Sequence, residues 1–427
     1  MSWVLIALAF AKTVAIVLGF ALVMATVLTW AERRQSAMVQ NRVGPNRANI
    51  GPFTMAGLFH PIADGIKTIM KEDVIPDGAN RFLHTVAPWI ALFPVLAAFA
   101  VVPFGEVWCE GAVSPGPLRD VCEGRTWNLF QIADLHVGIL YIFAISSISV
   151  YGVVIAGWAS RSKFPLMGGL RASAQMISYE VTLGLSLMGI IMVFGSVSLQ
   201  EIVRAQGELS FGWLPRWGLL LQPFGALLFF GASLAETKRA PFDMPEAESE
   251  LVAGYFTEYS SLKFAMFSLG EFVEVVLLAC VFAALFLGGW QVPWLQADGF
   301  HFPNAGLGIA VGGAIALLGA AGLFLSVTRR SGLLAAVALP VAAMGAVLLL
   351  AIDWPTLSPM VEVPYWAVQL LRVAAMLTKV VFLCWLQLMV RWTLPRFRYD
   401  QVMRLSWRYM LPLSLINILG TGAVMLL

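Results

Sequence analysis

The sequence predicts an all-α integral membrane protein of about ten transmembrane helices, with one further amphipathic helix on the cytoplasmic surface. Three observations predict it. Of 427 residues, 59% are hydrophobic and 12% charged, whereas a soluble domain is roughly 45–50% apolar and about 25% charged. The chain therefore has too little charge to cover a water-facing surface. Ten stretches are apolar over the ~20 residues that a bilayer crossing requires. With Arg391 at the end of the ninth stretch counted in the gap that follows it, 20 of the lysines and arginines lie in one alternate set of gaps and 4 in the other, the asymmetry of a chain whose basic loops face the cytoplasm.

The stretches are residues 3–30, 82–104, 132–158, 176–194, 217–235, 264–287, 305–326, 333–352, 366–392 and 409–427. The first is too long for the apolar region of a signal peptide, has no basic segment before it and ends in Glu32, Arg33 and Arg34, so it reads as a span. Trp or Tyr at several ends suits the membrane interface. Placing the basic gaps in the cytoplasm puts both termini on the extracytoplasmic side. In the first cytoplasmic gap, Phe59, Ile62, Ala63, Ile66, Ile69 and Met70 recur at helical spacing opposite His60, Asp64, Lys67 and Lys71. This predicts a helix lying along the membrane surface. The Gly-, Pro- and Asn-rich segment 41–52 before it is a connector.

Only 4 Cys and 4 His are present, with no CxxC and no Cys/His cluster. The chain has no ligand set for an iron–sulfur cluster or structural zinc, so redox cofactors are expected on partners. Cys109 and Cys122 share the first extracytoplasmic gap, where disulfides form. We expect them to pair; two unconnected thiols is the alternative, because sequence distance does not set Cα separation.

Chemistry is expected where carboxylates concentrate. Of 25 acidic residues, eight fall between 236 and 274: Glu236, Asp243, Glu246, Glu248, Glu250, Glu258, Glu271 and Glu274. Asp243 followed by Pro245 and Glu246 has the pattern of a helix start. A solvated loop alone would account for Glu248, Glu250 and Glu258. It would not account for Glu271 and Glu274, one turn apart inside an apolar span, or for Glu180 inside the fourth span. An ionised carboxylate at that depth costs several kcal/mol, so these side chains should face the bundle interior. Two readings stay open: a proton relay of acids with raised pKa values, or buried ion pairs with the intramembrane cations Lys12, Arg372 and Lys379. Arg33, Arg34, Arg42, Arg47, Arg171 and Arg239 could each be no more than the positive-inside signal. Arg239 differs by standing among acids just before Pro241, where a polar or anionic head group could be held.

Five segments are familiar: AERRQSAMVQNRVGPNR (31–47), ADGIKTIMKED (63–73), GWASRSKFPLMGGLRASAQMISYEV (157–181), ETKRAPFDMPEAESELVAGYFTEYSSLKFA (236–265) and LPRFRYDQVMRLSW (394–407). They closely resemble the H-subunit family of bacterial NADH:quinone oxidoreductase, respiratory complex I. The resemblance implies a membrane-arm subunit in the bacterial cytoplasmic membrane, at the junction with the hydrophilic arm, forming much of a quinone chamber. Quinone would be the substrate, and FMN and iron–sulfur clusters would sit on partner subunits, with none bound by this chain. Arg33, Asp64, Arg171 and Arg239 match family positions at the chamber. Glu32, Glu180, Glu236, Asp243, Glu246, Glu248, Glu250, Glu258 and Glu271 match an acidic funnel that couples quinone reduction to proton translocation.

The family core has about eight spans, so two of the ten stretches read as an insertion. The resulting organisation is a membrane core at 1–290, an inserted two-helix hairpin at 291–365 and a C-terminal pair of helices at 366–427. Two other readings compete. One is the homologous membrane subunit of a proton-pumping hydrogenase-type complex. The other is a secondary proton or cation transporter, which should show inverted repeats and broken spans at matching positions; neither is clear in the sequence.

Overall fold

The computed structural model describes residues 3–49, 51, 57–109, 112–113, 121–122, 125–210, 214–245, 248–301, 313–314, 317–318, 320–321 and 360–426. The first span is a continuous rod in three parts: α1 (Trp3–Thr13), a π-helical stretch (Val14–Leu22) and α2 (Val23–Val39). It continues well past the end of the apolar run at Trp30, because Glu32, Arg33 and their neighbours are good helix formers. A rigid support thus carries both charges.

The surface helix forms as α3 (His60–Met70). Its Ile62, Ile66, Ile69 and Met70 are exposed, while Asp64 pairs with Arg33 and the Thr68 carbonyl accepts from the Ser261 hydroxyl. An apolar face turned outward and a polar face holding the protein is the arrangement of a helix lying in a membrane interface. Next comes α4 (Arg81–Ala98), capped by the Asn80 side chain, which accepts from the Leu83 N–H at 3.2 Å.

The loop after α4 contains short strands that the apolar pattern does not predict. β1 (Trp108–Cys109) pairs with β4 (Thr126–Trp127), and β2 (Ala112–Val113) with β3 (Val121–Cys122), all antiparallel. Cys109 is disulfide-bonded, whereas Cys280 and Cys384 are free. The side chain of Cys122, the expected partner, lies outside the described residues.

The third crossing is made by α5 (Gly138–Ser146) and α6 (Ile148–Ala159), and the fourth by α7 (Lys163–Phe194). The helix α7 begins thirteen residues before the predicted start at 176. Polar and small residues there mask it from an apolarity count, yet the helix continues and carries Arg171 and Gln175. It ends at Gly195, whose left-handed φ of 68° closes the C-terminus. After α8 (Leu199–Ala205) and the hairpin of β5 (Leu209–Ser210) with β6 (Leu214–Pro215), the fifth predicted stretch is split into α9 (Gly218–Leu221) and α10 (Pro223–Glu236). Pro223 lacks an N–H and drives Gln222 out of helical geometry.

Beyond the short α11 (Glu248–Leu251) stands α12 (Ser261–Phe286), buried without interruption from Gly270 to Phe286. It is the axis of the bundle and packs against α2, α4 and α13 (Tyr365–Thr393). The last crossing comprises α14 (Tyr399–Arg404), a π-helical turn (Leu405–Met410) and α15 (Leu411–Leu426), which packs on α7. Small residues let helices approach closely, as packing among apolar surfaces requires. A Cβ on Gly152 would meet the Ala91 nitrogen at 2.5 Å, and one on Gly168 would meet the Tyr255 nitrogen at 2.6 Å.

Seven of the described helices are long and apolar enough to cross a membrane, and α10 is a shorter apolar helix beside them. The predicted stretches at 305–326 and 333–352 lie almost wholly outside the described residues. Where the chain leaves and re-enters the described fold, β7 (Gly299–His301) pairs antiparallel with β8 (Met360–Glu362), His301 opposite Met360.

Among the described residues, neither intramembrane lysine makes the ion pair that one reading expects. Lys12 Nζ donates to the carbonyls of Asn128, Gln131 and Ile132 at 2.9–3.4 Å, and Lys379 Nζ to those of Gly289 and Gln291 at 2.8 Å each. Arg372 lies over the Trp290 ring at 5.2 Å. The lysines act as caps on loop backbone rather than as counter-ions, since exposed carbonyls at chain turns need donors.

Candidate functional site

Glu271 and Glu274, one turn apart on α12, line two different cavities. The outer one, of about 220 Å³, is lined by Thr29, Glu32 and Arg33 of α2, Arg239 and Asp243 of the loop after α10, Ser268, Glu271 and Phe272 of α12, and Arg391 of α13. Glu32 bridges two arginines, accepting from Arg239 and Arg391 at 2.6 Å each. Arg239 also stands 3.9 Å from Glu271 and 3.6 Å above the Phe272 ring. The Tyr255 hydroxyl donates to Glu271 at 2.9 Å, and Arg396 pairs with Asp243. At the rim, Arg33 and Asp64 are 2.7 Å apart, both largely exposed.

Packing fixes the loop that supplies Arg239 and Asp243. The buried Gln175 amide donates to the Ala235 and Phe242 carbonyls at 2.6 and 2.8 Å. The Phe397 N–H donates to the Pro241 carbonyl at 3.1 Å. The Phe242 ring sits between those of Tyr179 and Phe397, at 5.6 and 5.5 Å. A guanidinium held this way is pre-organised, so little entropy is lost when it binds an anionic or carbonyl oxygen.

The inner cavity is small, about 20 Å³, and mostly apolar, but Glu180 of α7, Glu236 of α10 and Glu274 of α12 all line it. That volume holds about one water molecule. Oε2 of Glu236 is buried without a hydrogen-bond partner among the described residues. Lys238 pairs with Glu274 at 3.5 Å. Burial works against the Lys238 ammonium, but Glu274, Glu271 and Glu236 outweigh it and hold this lysine above its ordinary range.

Of the predicted residues, Glu32, Arg33, Arg239, Asp243 and Glu271 meet in the outer cavity, with Asp64 tied to its rim. Glu180 and Glu236 meet in the inner one. Arg171 and Glu250 pair with each other at 2.6 Å, Arg171 lying over Tyr399 at 5.8 Å, and line neither cavity. Glu258 is half-buried and lines neither. Glu246 lies outside the described residues, and of Glu248 only the backbone at the start of α11 is described. The helix start expected at Asp243 is not there: α11 begins five residues later, and Asp243 holds Arg396 instead.

Glu274 was expected to face the bundle interior with Glu271, though not among the funnel residues that the resemblance implies; the site residues not foreseen are Lys238, Phe272, Tyr255, Arg391 and Arg396. Glu274 was visible as an intramembrane acid. Arg391 and Arg396, by contrast, look like ordinary positive-inside residues, and only tertiary folding brings them to Glu32 and Asp243.

A model of the NADH dehydrogenase family matches residues 11–422 of the chain. The chain belongs to the NADH dehydrogenase family. Among its similar relatives, an NADH-quinone oxidoreductase H subunit of Cytophaga hutchinsonii is 37% identical, covering 97% of each chain. The NADH-quinone oxidoreductase H subunit of Flavobacterium johnsoniae is 36% identical over 97% of this chain and 95% of its own. NADH-quinone oxidoreductase subunit 8 of Rhodothermus marinus is 38% identical over 95% and 93%. This NADH dehydrogenase family membership bears out the resemblance read from the five motifs and sets aside the transporter reading. The NADH dehydrogenase match runs through both cavities, since it includes α2, α7, α10, α12 and α13.

Proposed function

We propose that the chain is a membrane subunit of a proton-translocating NADH-quinone oxidoreductase, and that its outer cavity receives the quinone head group. The observation that carries this is Arg239, fixed between Glu32, Glu271 and the Phe272 ring in a cavity whose lining residue Arg33 pairs with Asp64 of α3. At about 220 Å³ it is smaller than the ~300–1,000 Å³ of a pocket enclosing a whole drug-sized ligand. It suits one ring-sized polar head group with its tail left outside. The exposed apolar face of α3 offers that tail a route from lipid.

A quinone that takes two electrons becomes strongly basic and needs two protons. Arginines stabilise the developing oxygen charge, and neighbouring carboxylates respond to it. At an effective dielectric of ~20, unit charges ~5–10 Å apart interact by about 1.7–3.3 kcal/mol, which moves a carboxylate's proton affinity by one to two pKa units. Since Glu271 and Glu274 are one turn apart, about 5 Å along the helix axis, a charge change in the outer cavity is felt in the inner one. Electrons would arrive from FMN and iron–sulfur clusters on partner subunits, and the membrane would be the bacterial cytoplasmic membrane, with the outer cavity at its cytoplasmic face. The division into a core at 1–290, an inserted hairpin at 291–365 and a C-terminal segment at 366–427 fits the pairing of β7 with β8, which brings the two ends of the insert together.

Photo-crosslinking of an azido-quinone to the assembled enzyme tests the reading. Labelled peptides from α2, α3 or the loop 237–260 are expected. Labelling confined to other segments or to other subunits would overturn it.

A further inference from the structure

The chain directly after α10 sends two consecutive cations to different places. Arg239 enters the outer cavity, whereas Lys238 turns to Glu274, an acid of the inner one. The split is made by the backbone: Lys238 has φ 54°, a left-handed conformation that a non-glycine residue keeps only where its surroundings impose it. Lys238 is 5% exposed and Glu274 3%. Their 3.5 Å separation contrasts with 2.6 Å for Arg239 and Glu32, so charge rather than a tight hydrogen bond holds the pair.

One ammonium therefore lies within electrostatic reach of three acids, Glu274, Glu271 and Glu236, and pairs at close range with Glu274. It sits on Glu274, while Oε2 of Glu236 is buried without a hydrogen-bond partner among the described residues. A buried carboxylate in that position is far better accommodated as the neutral acid.

We infer that Lys238 is a positioning residue that pins the negative charge of the inner cavity on Glu274 and leaves Glu236 as the acid holding the movable proton. The inference rests on the quinone reading of the outer cavity. Negative charge arising there draws the ammonium toward Glu271. Glu274, losing its counter-ion, then takes the proton of Glu236 across the water-sized cavity: the O–H bond on Glu236 breaks, one forms on Glu274, and net charge is unchanged. Glu236 is left as a carboxylate able to accept the next proton from the Glu180 side of the same cavity. Lys238 thus converts a charge change outside into a change of proton address inside.

The test uses the whole enzyme in proteoliposomes, with Lys238→Gln, Glu274→Gln, the double variant and Lys238→Arg. Reduction of a soluble acceptor by NADH reports assembly, and KM and kcat with a short-tailed quinone are measured together with protons moved per electron. For Lys238→Gln we expect KM within twofold, with kcat and proton translocation down at least tenfold. Lys238→Arg should recover most of both. The double variant removes the charges as a pair, so it should assemble normally yet remain defective in translocation. Full translocation in the double variant would show a merely structural ion pair and overturn the inference, as would a tenfold rise in KM without loss of kcat in Lys238→Gln. Failure of the quinone reading itself would appear separately, in the position of the azido-quinone label.

Discussion

The two cavities along α12 differ less in distance than in how their charges are balanced. The outer one sets Arg33, Arg239 and Arg391 against Glu32, Asp243 and Glu271, with pairs at 2.6 Å and an aromatic ring beneath the central guanidinium. The inner one sets three acids, Glu180, Glu236 and Glu274, in apolar walls with Lys238 alone paired to them among the described residues. Arginine cannot release its proton under working conditions, so the first arrangement suits the orienting and binding role proposed for it. Carboxylates in excess of cations favour the neutral acid when desolvated, which suits the second to the proton-holding role proposed for it. On the proposed reading, one helix carries a recognition site and a proton site a single turn apart.

The comparison is sharpened or broken by substitutions, taken from the largest expected effect down. Glu236→Gln removes a proton-carrying group without changing volume and should lower quinone turnover by roughly 10²-fold, within the range for a lost acid–base group. KM and electron transfer to a soluble acceptor should stay as they were. Full turnover with normal translocation would make the inner acids mere packing. Arg239→Ala should instead act on affinity: we expect KM for a short-tailed quinone to rise about tenfold, equivalent to ~1.4 kcal/mol. Steady-state kinetics on the assembled enzyme measures it, and an unchanged KM removes Arg239 from the site.

Phe272→Leu keeps the volume roughly filled but loses the ring under Arg239, an interaction worth ~1 kcal/mol. A KM increase of about fivefold is expected in the same assay. Arg171→Ala should do least. Its partner Glu250 is more than half exposed, and pairs of that kind contribute about 0–1 kcal/mol, so KM should change by less than twofold. A large effect there would mean that the quinone reaches a region outside both cavities.

Much of this architecture was legible in the chain. Apolar runs and the basic asymmetry located the described crossings, and the 3.6-residue spacing of Ile62, Ile66, Ile69 and Met70 located α3. Glu180, Glu271 and Glu274 stood out because acids are rare in apolar spans and costly there. The N-terminal extension of α7 was hidden, because a helix held by tertiary contacts needs no apolar run. The strands near Cys109 were hidden because two-residue ladders have no periodicity to read. Arg391 and Arg396 were hidden for another reason: a basic residue near a span end looks the same whether it faces water or reaches across the bundle to Glu32 or Asp243.

By itself the sequence determined the all-helical membrane character, the surface helix and the family, all of which follow from local composition, periodicity and motifs. Tertiary structure alone decided the division of labour. It placed Arg239 and Lys238, neighbours in the chain, with different acids, and split Glu271 from Glu274 between two cavities. Lys12 and Lys379 it spent on loop carbonyls. The physical reason is that a side chain's charge is written in its residue type, while its partner depends on which helices pack together and which way the backbone turns.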